Sequence, residues 1–258
     1  MKKDIIMHGD CLVEMQNIPD KSVDMVLCDL PYGVLNKGNK HAKWDSVIPF
    51  EPLWGQYKRI VKDNGAIVLF AQGMFTANLM ASNPNMWRYN LVWDKVLKNG
   101  FLNANVQPLR QHEDIVVFSK QRTIYNPQMV KCKPHKRNHR KGNMQTPSQN
   151  RCYGKFVETP TIISDEKFPT SIISIPKEHK KGESYHPTQK PVALLEYLIK
   201  TYTNEGDLVL DNACGSGSTC VACLNTNRHY IGIEKEKEYY DISVNRIQEA
   251  KILKEEQQ

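Results

Sequence analysis

Two places in the chain put an acidic side chain where an apolar strand should end. The first is "VDMVLCDLPYGV", residues 23–34, in which an apolar run reaches Asp29, Pro31 and Tyr32. Proline removes a backbone donor and stops the strand, and a carboxylate at that depth requires a partner or water. The chain either turns there or holds something. The second is "DLVLDNACGSGST", residues 207–219, where Asp211 closes an apolar run and a glycine-rich turn leads into a helical stretch. Glycines let backbone pass close to a ligand, and such a turn between strand end and helix start is where nucleotide-like ligands bind in open α/β sheets. This reading surrounds the ligand with Asp211, Ala213, Cys214, Gly215, Ser216, Gly217, Ser218 and Thr219. Roughly 20 residues later, "YIGIEK" ends another strand on Glu234 and Lys235, the place for a carboxylate that accepts from ribose hydroxyls. The full GxGxxG dinucleotide fingerprint is absent, and Asp211 stands ahead of the glycines. An acid there can meet the ammonium of a methionine moiety, which points to S-adenosylmethionine rather than a nicotinamide dinucleotide.

The elements that must position these groups alternate in type. "KDIIMH" and "VDMVLCD" read as short strands separated by the helical "CLVEMQNIPDKS". "FEPLWGQYKRIVKDNG" has helical spacing and is expected to end on Gly65 as a C-terminal cap, before the strand "AIVLFAQ". "MFTANLMASNP" follows as a helix, then "NLVWDK" and "EDIVVFSK" as strands joined by a polar connection. Towards the end come a helix in "PVALLEYLIKTYT", the strand "DLVLDNA", a helix in "TCVACLNTN", the strand "HYIGIEK" and a long amphipathic helix. Such alternation implies an α/β fold, a mostly parallel sheet covered by helices on both faces. Between Gln121 and Tyr185 the rhythm is lost, and only "TIIS" and "SIISI" suggest short strands. The expected organisation is therefore one domain over 1–120 and 185–258, with a second, smaller region over 121–184.

With 258 residues and 40% hydrophobic content the chain can bury a full core. Seven cysteines without regular spacing read as reduced thiols, and no run suits a membrane helix or a secretory signal, so a soluble cytoplasmic protein is expected. The net charge of +7 is concentrated in "KCKPHKRNHRKGN", which can face a polyanion. Cys132, His135, His139 and Cys152 lie near this stretch, but their spacing fits no recurring zinc pattern, so no metal is expected. Cys220 and Cys223 sit in a helix behind the glycine turn, where packing is the expected role.

"DLPYG", "HEDIVVFSK", "HPTQKP", "DNACGSGST" and "GIEKE" stand in an order that resembles the motif series of DNA amino-methyltransferases of the β group. The resemblance spans nearly the whole chain and is weakest over 121–185. It implies a Rossmann-like S-adenosylmethionine methyltransferase fold with a permuted motif order, plus a target-recognition insertion. Most members carry Asp-Pro-Pro-Tyr or Ser-Pro-Pro-Tyr; here Leu30 takes the place of the first proline.

The tetrapeptide suits the chemistry that the resemblance implies. An exocyclic base amine is a poor nucleophile because its lone pair is delocalised, so N-methylation requires acceptors that draw its N–H bonds out of plane. Asp29 and the Leu30 carbonyl supply two, Pro31 fixes the turn, and Tyr32 stacks on a base flipped from the duplex. The resemblance also places Asp10 and Cys11 beside the cofactor's adenine, Asp29 at its edge, and Thr188, Gln189 and Lys190 at its carboxylate. Asp10 reads equally as a helix cap. Lys131, Lys133, Lys136, Arg137, Arg140 and Lys141 are the expected DNA phosphate contacts. An Asp rather than a Ser at the first position favours N6 of adenine; N4 of cytosine and an inactive DNA-binding regulator are the alternatives. Double-stranded DNA is the implied partner, with a homodimer and a cognate restriction endonuclease among the associations the resemblance allows.

Overall fold

The computed structural model describes residues 1–34, 45–143, 156–177 and 189–256. The chain forms two compact units, Met1–Asn126 with Ser171–Gln258, and Pro127–Thr170.

The larger unit is built on an eight-stranded sheet ordered β1-β10-β9-β2-β3-β5-β4-β8. In chain order these strands are β1 (Ile5–His8), β2 (Val23–Cys28), β3 (Val61–Ala71), β4 (Trp87–Asn99), β5 (Arg110–Phe118), β8 (Ile172–Ser174), β9 (Leu208–Asp211) and β10 (His229–Glu234). Pairing is parallel except where β5 lies antiparallel between β3 and β4. Alternation along the strands divides the core in two. Val26, Cys28, Ile67 and Leu69 face one cluster, covered by Leu53, Trp54 and Tyr57 of α2 (Phe50–Ile60) and by Phe75 and Leu79 of α3 (Met74–Ser82). Met25, Leu27, Val68 and Phe70 face the other, under Leu194, Leu198 and Tyr202 of α4 (Val192–Tyr202) and Cys220 and Cys223 of α5 (Ser218–Asn225). The two cysteines are packing residues, as their helical position implies. Ile247 of α6 (Lys237–Glu255) completes that layer. The result is the expected α/β sandwich, and its all-buried central strand β9 explains the uninterrupted "LVL" run. No helix among the described residues is long and apolar enough to cross a membrane.

Gly65 is not a helix cap. α2 stops at Ile60, the chain enters β3 at once, and the pairing with β2 jumps from Val23↔Val61 to Met25↔Ala66. Residues 62–65 are thus an outward excursion of the strand, and the helical spacing of "FEPLWGQYKRI" simply ends earlier than the glycine suggests. A Cβ on Gly65 would lie 2.6 Å from Val61 Cγ1 and 2.8 Å from the Asp24 carbonyl oxygen. Gly65→Ala should therefore cost about 1–3 kcal/mol through forced backbone shifts. Gly55→Ala, in mid-helix with nothing within 4 Å of the added carbon, should stabilise by about 0.5–1 kcal/mol. Thermal unfolding midpoints of the two variants should move in opposite directions.

The smaller unit contains the antiparallel ribbon of β6 (Val130–Asn143) and β7 (Phe156–Lys167). The basic stretch is thus a long strand, where the sequence suggested an irregular segment with strand character only near "TIIS". A two-stranded ribbon does not form a buried face of its own, so no apolar alternation announces it. Pro134 falls where the register breaks between Lys131 and His135, the kind of place a ladder tolerates a residue without a donor.

Candidate active site

Sheet order converts four distant acids into one row. β1, β10, β9 and β2 are consecutive parallel neighbours, and at or just beyond their carboxyl ends stand Asp10, Glu234, Asp211 and Asp29. All four line a cavity of about 680 Å³ within the larger unit. Ligands of open α/β sheets bind at this edge.

The glycine turn forms the near wall. Gly217, at φ +79°, enters α5 in the left-handed region, and a Cβ there would meet Ser243 Cβ at 3.0 Å. Glycine is required by both conformation and space. Glu234 ties the turn down: its Oε2 accepts from the Gly215 N–H at 2.8 Å and its Oε1 from the Glu236 N–H at 2.8 Å. Burial nevertheless raises its carboxyl above the usual range, and each oxygen keeps a lone pair for a further donor. Asp211 is 4% exposed, and burial pushes its carboxyl up to about 6 against hydrogen bonds from Thr219, Cys28 and the Ala213 N–H. Next to it, Asn212 Oδ1 accepts from the Tyr57 hydroxyl at 2.5 Å, while the buried Asn212 Nδ2 has no hydrogen-bond partner among the described residues. Neither Tyr57 nor Asn212 was singled out by the sequence.

The tetrapeptide forms the floor. Asp29 Oδ1 accepts from the Tyr32 hydroxyl at 2.7 Å, and the Tyr32 ring lies 4.8 Å from that of Phe75. Leu30 is 3% exposed and fills the core under α2, which accounts for an aliphatic residue in the place of proline. The exit of the turn is held by Asp45, whose two carboxylate oxygens accept from the Gly33 and Val34 N–H groups at 3.0 and 2.7 Å. Asp45 is a supporting residue that no local sequence signal marks.

The described part of the "HPTQKP" segment reaches two sides of the cavity. Thr188 lies outside the described residues. Gln189 Oε1 accepts from the Ser216 hydroxyl at 3.2 Å and so touches the glycine turn. Lys190 instead donates to Asp29 Oδ2 and lies 3.3 Å from Glu113 Oε2. Glu113, on β5, in turn meets Lys95 Nζ at 3.1 Å through Oε1. Burial alone would lower the Lys190 ammonium, but Asp29 and Glu113 together push it up. Burial raises the Asp29 carboxyl even against Lys190, whereas Glu113, opposed by burial, is held below its ordinary range by Lys190 and Lys95. Asp10 caps α1 (Cys11–Glu14) by accepting from the Leu12 N–H at 3.0 Å, and its other oxygen meets Lys235 at 3.1 Å. Cys11 is buried beside it.

The remaining candidates belong to the smaller unit. Lys131 and Lys133 are exposed on β6, with Lys131 opposite Glu166. The backbones of Lys136, Arg137, Arg140 and Lys141 continue that strand opposite Ile163, Ile162, Glu158 and Val157; their side chains lie outside the described part. Cys132 Sγ is 3.4 Å from His135 Nδ1, and the His139 side chain and Cys152 are likewise outside it.

A sheet edge lined by acids, a glycine turn and an Asp-Leu-Pro-Tyr floor has its counterpart in known sequences. The profile of the DNA methylase family, which comprises N6 and N4 enzymes, matches residues 23–245. The chain belongs to this family. It is a DNA methyltransferase. Among its relatives is the Type II methyltransferase M2.MboI of Moraxella bovis, 27% identical, with 97% of this chain and 90% of the relative aligned. The fold matches that of the M1.HpyAVI–SAM complex with a TM-score of 0.61 at 24% identity, covering 94% of this chain and 98% of the other. It also matches the cytosine-N4-specific PvuII DNA methyltransferase with a TM-score of 0.66 at 16% identity, over 93% and 84% of the two chains.

Proposed function

We propose that this methyltransferase modifies the exocyclic N6 of adenine in duplex DNA, with Asp29 and the Leu30 carbonyl as the acceptors for the amine. The observation that carries the reading is that one cavity of about 680 Å³ is lined both by the tetrapeptide and by the acid-rich glycine turn. The donor set of that turn fits S-adenosylmethionine. Asp211 suits its ammonium, Glu234 its ribose hydroxyls, and the orphaned Asn212 Nδ2 offers a buried donor in the same wall. When bound there, the group supplies a methyl already activated on a sulfonium.

The chain's own contribution is geometry and charge. Hydrogen bonds from the amine to Asp29 and the Leu30 carbonyl strengthen as the nitrogen becomes tetrahedral, so they stabilise the transition state more than the ground state. Tyr32 lines the cavity with its ring braced on Phe75, a platform for a base that has left the stack. Adenine rather than cytosine is favoured by the acid at the first tetrapeptide position, a preference that comes from the family resemblance. The target-recognition region is read as residues 121–184, whose compact part is the unit Pro127–Thr170: a two-stranded ribbon with exposed Lys131 and Lys133 suits entry into a major groove and contact with phosphates. The Type II naming of the Moraxella relative supports a restriction–modification setting with a partner endonuclease.

Incubating the purified protein with methyl-labelled S-adenosylmethionine and duplex DNA should place the label in DNA, recovered after digestion as N6-methyladenine. Recovery as N4-methylcytosine would correct the base, and label in RNA or protein without label in DNA would overturn the reading.

A further inference from the structure

Both oxygens of Asp29 are engaged in this structure, Oδ1 by the Tyr32 hydroxyl and Oδ2 by the Lys190 ammonium. That is a poor ground for accepting a base amine. A neutral N–H donor competes weakly against an ammonium for one oxygen. Moreover, positive charge develops on the amine as it gains a methyl group, and a cation held on the same carboxylate opposes that charge through the low-dielectric interior. A shift of Lys190 from Asp29 towards another carboxylate would ease both effects without leaving a bare cation in the cavity wall.

The wall contains a place for it. Glu113 Oε2 is buried and already pairs with Lys190 Nζ across 3.3 Å, a looser contact than the one Lys190 makes to Asp29. Its sister oxygen Oε1 is held by Lys95 at 3.1 Å, so the carboxylate is anchored and its second oxygen can take a shorter bond from Lys190. The Phe70 ring, 5.0 Å from Lys190 Nζ, supplies an apolar flank that discourages escape to solvent. Lys190 itself is 7% exposed. The charged groups around it are thus Asp29 and Glu113, with Lys95 and Lys177 as further cations whose fields reach the same site.

We propose that Glu113 is a positioning residue for methyl transfer: it receives Lys190 when the target amine enters, and so frees Asp29 Oδ2 to accept from that amine. The proposal rests on the reading of Asp29 as the amine's acceptor. Glu113 touches neither base nor cofactor in it and acts through the lysine.

Glu113→Gln keeps the shape and removes the charge. It should lower kcat about tenfold or more while leaving the KM for DNA and the affinity for S-adenosylmethionine within about threefold. Glu113→Asp, which restores the charge at shorter reach, should recover part of kcat. Because Glu113→Gln leaves Lys95 without its carboxylate, the double variant Lys95→Met/Glu113→Gln removes that imbalance and should show the same kcat loss in a protein with a native-like unfolding midpoint. Unchanged kcat in Glu113→Gln overturns the proposal, as does a loss of cofactor affinity matching the loss of rate, or an aspartate no better than the glutamine. Asp29→Asn separates the two readings. If it abolishes transfer while Glu113→Gln does not, the role of Glu113 fails alone; if Asp29→Asn transfers normally, the acceptor reading fails first.

Discussion

Asp29→Ala should abolish methyl transfer while leaving S-adenosylmethionine bound. The acceptor oxygens lie on the floor of the cavity, whereas the groups suited to the cofactor's ammonium and ribose, Asp211 and Glu234, stand on neighbouring strands. Loss of one preorganised electrostatic partner typically costs about 10²–10³ in kcat, and here the missing group also carries the charge that faces the developing cation. The alanine has a second effect. It strips Lys190 of one of two carboxylate partners, so a drop in unfolding midpoint is expected beside the loss of activity. Asp29→Asn retains the shape of the turn and is the cleaner probe of chemistry. Calorimetric titration with S-adenosylmethionine, run beside single-turnover transfer, distinguishes the outcomes: equal losses in both would assign Asp29 to cofactor binding instead.

The opposite separation is expected at Asp211. Asp211→Asn should weaken S-adenosylmethionine binding by about a hundredfold or more, because a buried carboxylate matched to an ammonium becomes a neutral amide. The same substitution should stabilise the free protein. Burial raises the Asp211 carboxyl from 3.8 in the unfolded reference to about 6, so between those values the native state binds more protons than the unfolded chain. Stability therefore falls as pH rises through that window, and above it the ionised group costs on the order of 3 kcal/mol. The asparagine removes this slope, and its unfolding midpoint at neutral pH should exceed that of the parent. Cofactor affinity in the parent should decline about tenfold per unit as pH falls below about 6, since a proton must first leave Asp211. A flat affinity profile from pH 7 down to 4.5 would remove Asp211 from the ammonium's site.

How far the sequence reaches is visible in these residues. Asp29, Pro31 and Tyr32 and the turn from Asp211 to Thr219 were legible because each is a local signal, an apolar run broken by a residue that a strand excludes. The α/β alternation was legible for the same reason. The partnership of Lys190 with Asp29 was not, since 161 residues separate them and only the strand order brings them together. Glu113 stood in plain view in "HEDIVVFSK", yet its place beside Lys190 arises from β5 running antiparallel, which carries its early residues to the edge where the parallel strands end. Asp45 and Tyr57 escaped notice because their partners are a backbone turn and a side chain on another strand's exit. Gly65 misled because a glycine after a helical run reads as a stop signal, while here it relieves crowding against Asp24.

The two ends of the 127–170 segment are secured before it begins. On one side, the Asn126 N–H donates to the Thr201 carbonyl at 2.8 Å and its side-chain amide reaches the Thr203 carbonyl at 3.0 Å, closing the last turn of α4. On the other, the Ser171 carbonyl accepts from the Val92 N–H at 2.8 Å, at the start of the edge strand. These anchoring hydrogen bonds lie outside the ribbon, so substitutions within it do not remove any of them. A ribbon of different sequence or length, grafted from a relative between these two anchors, should therefore leave the unfolding midpoint of the larger unit close to that of the parent.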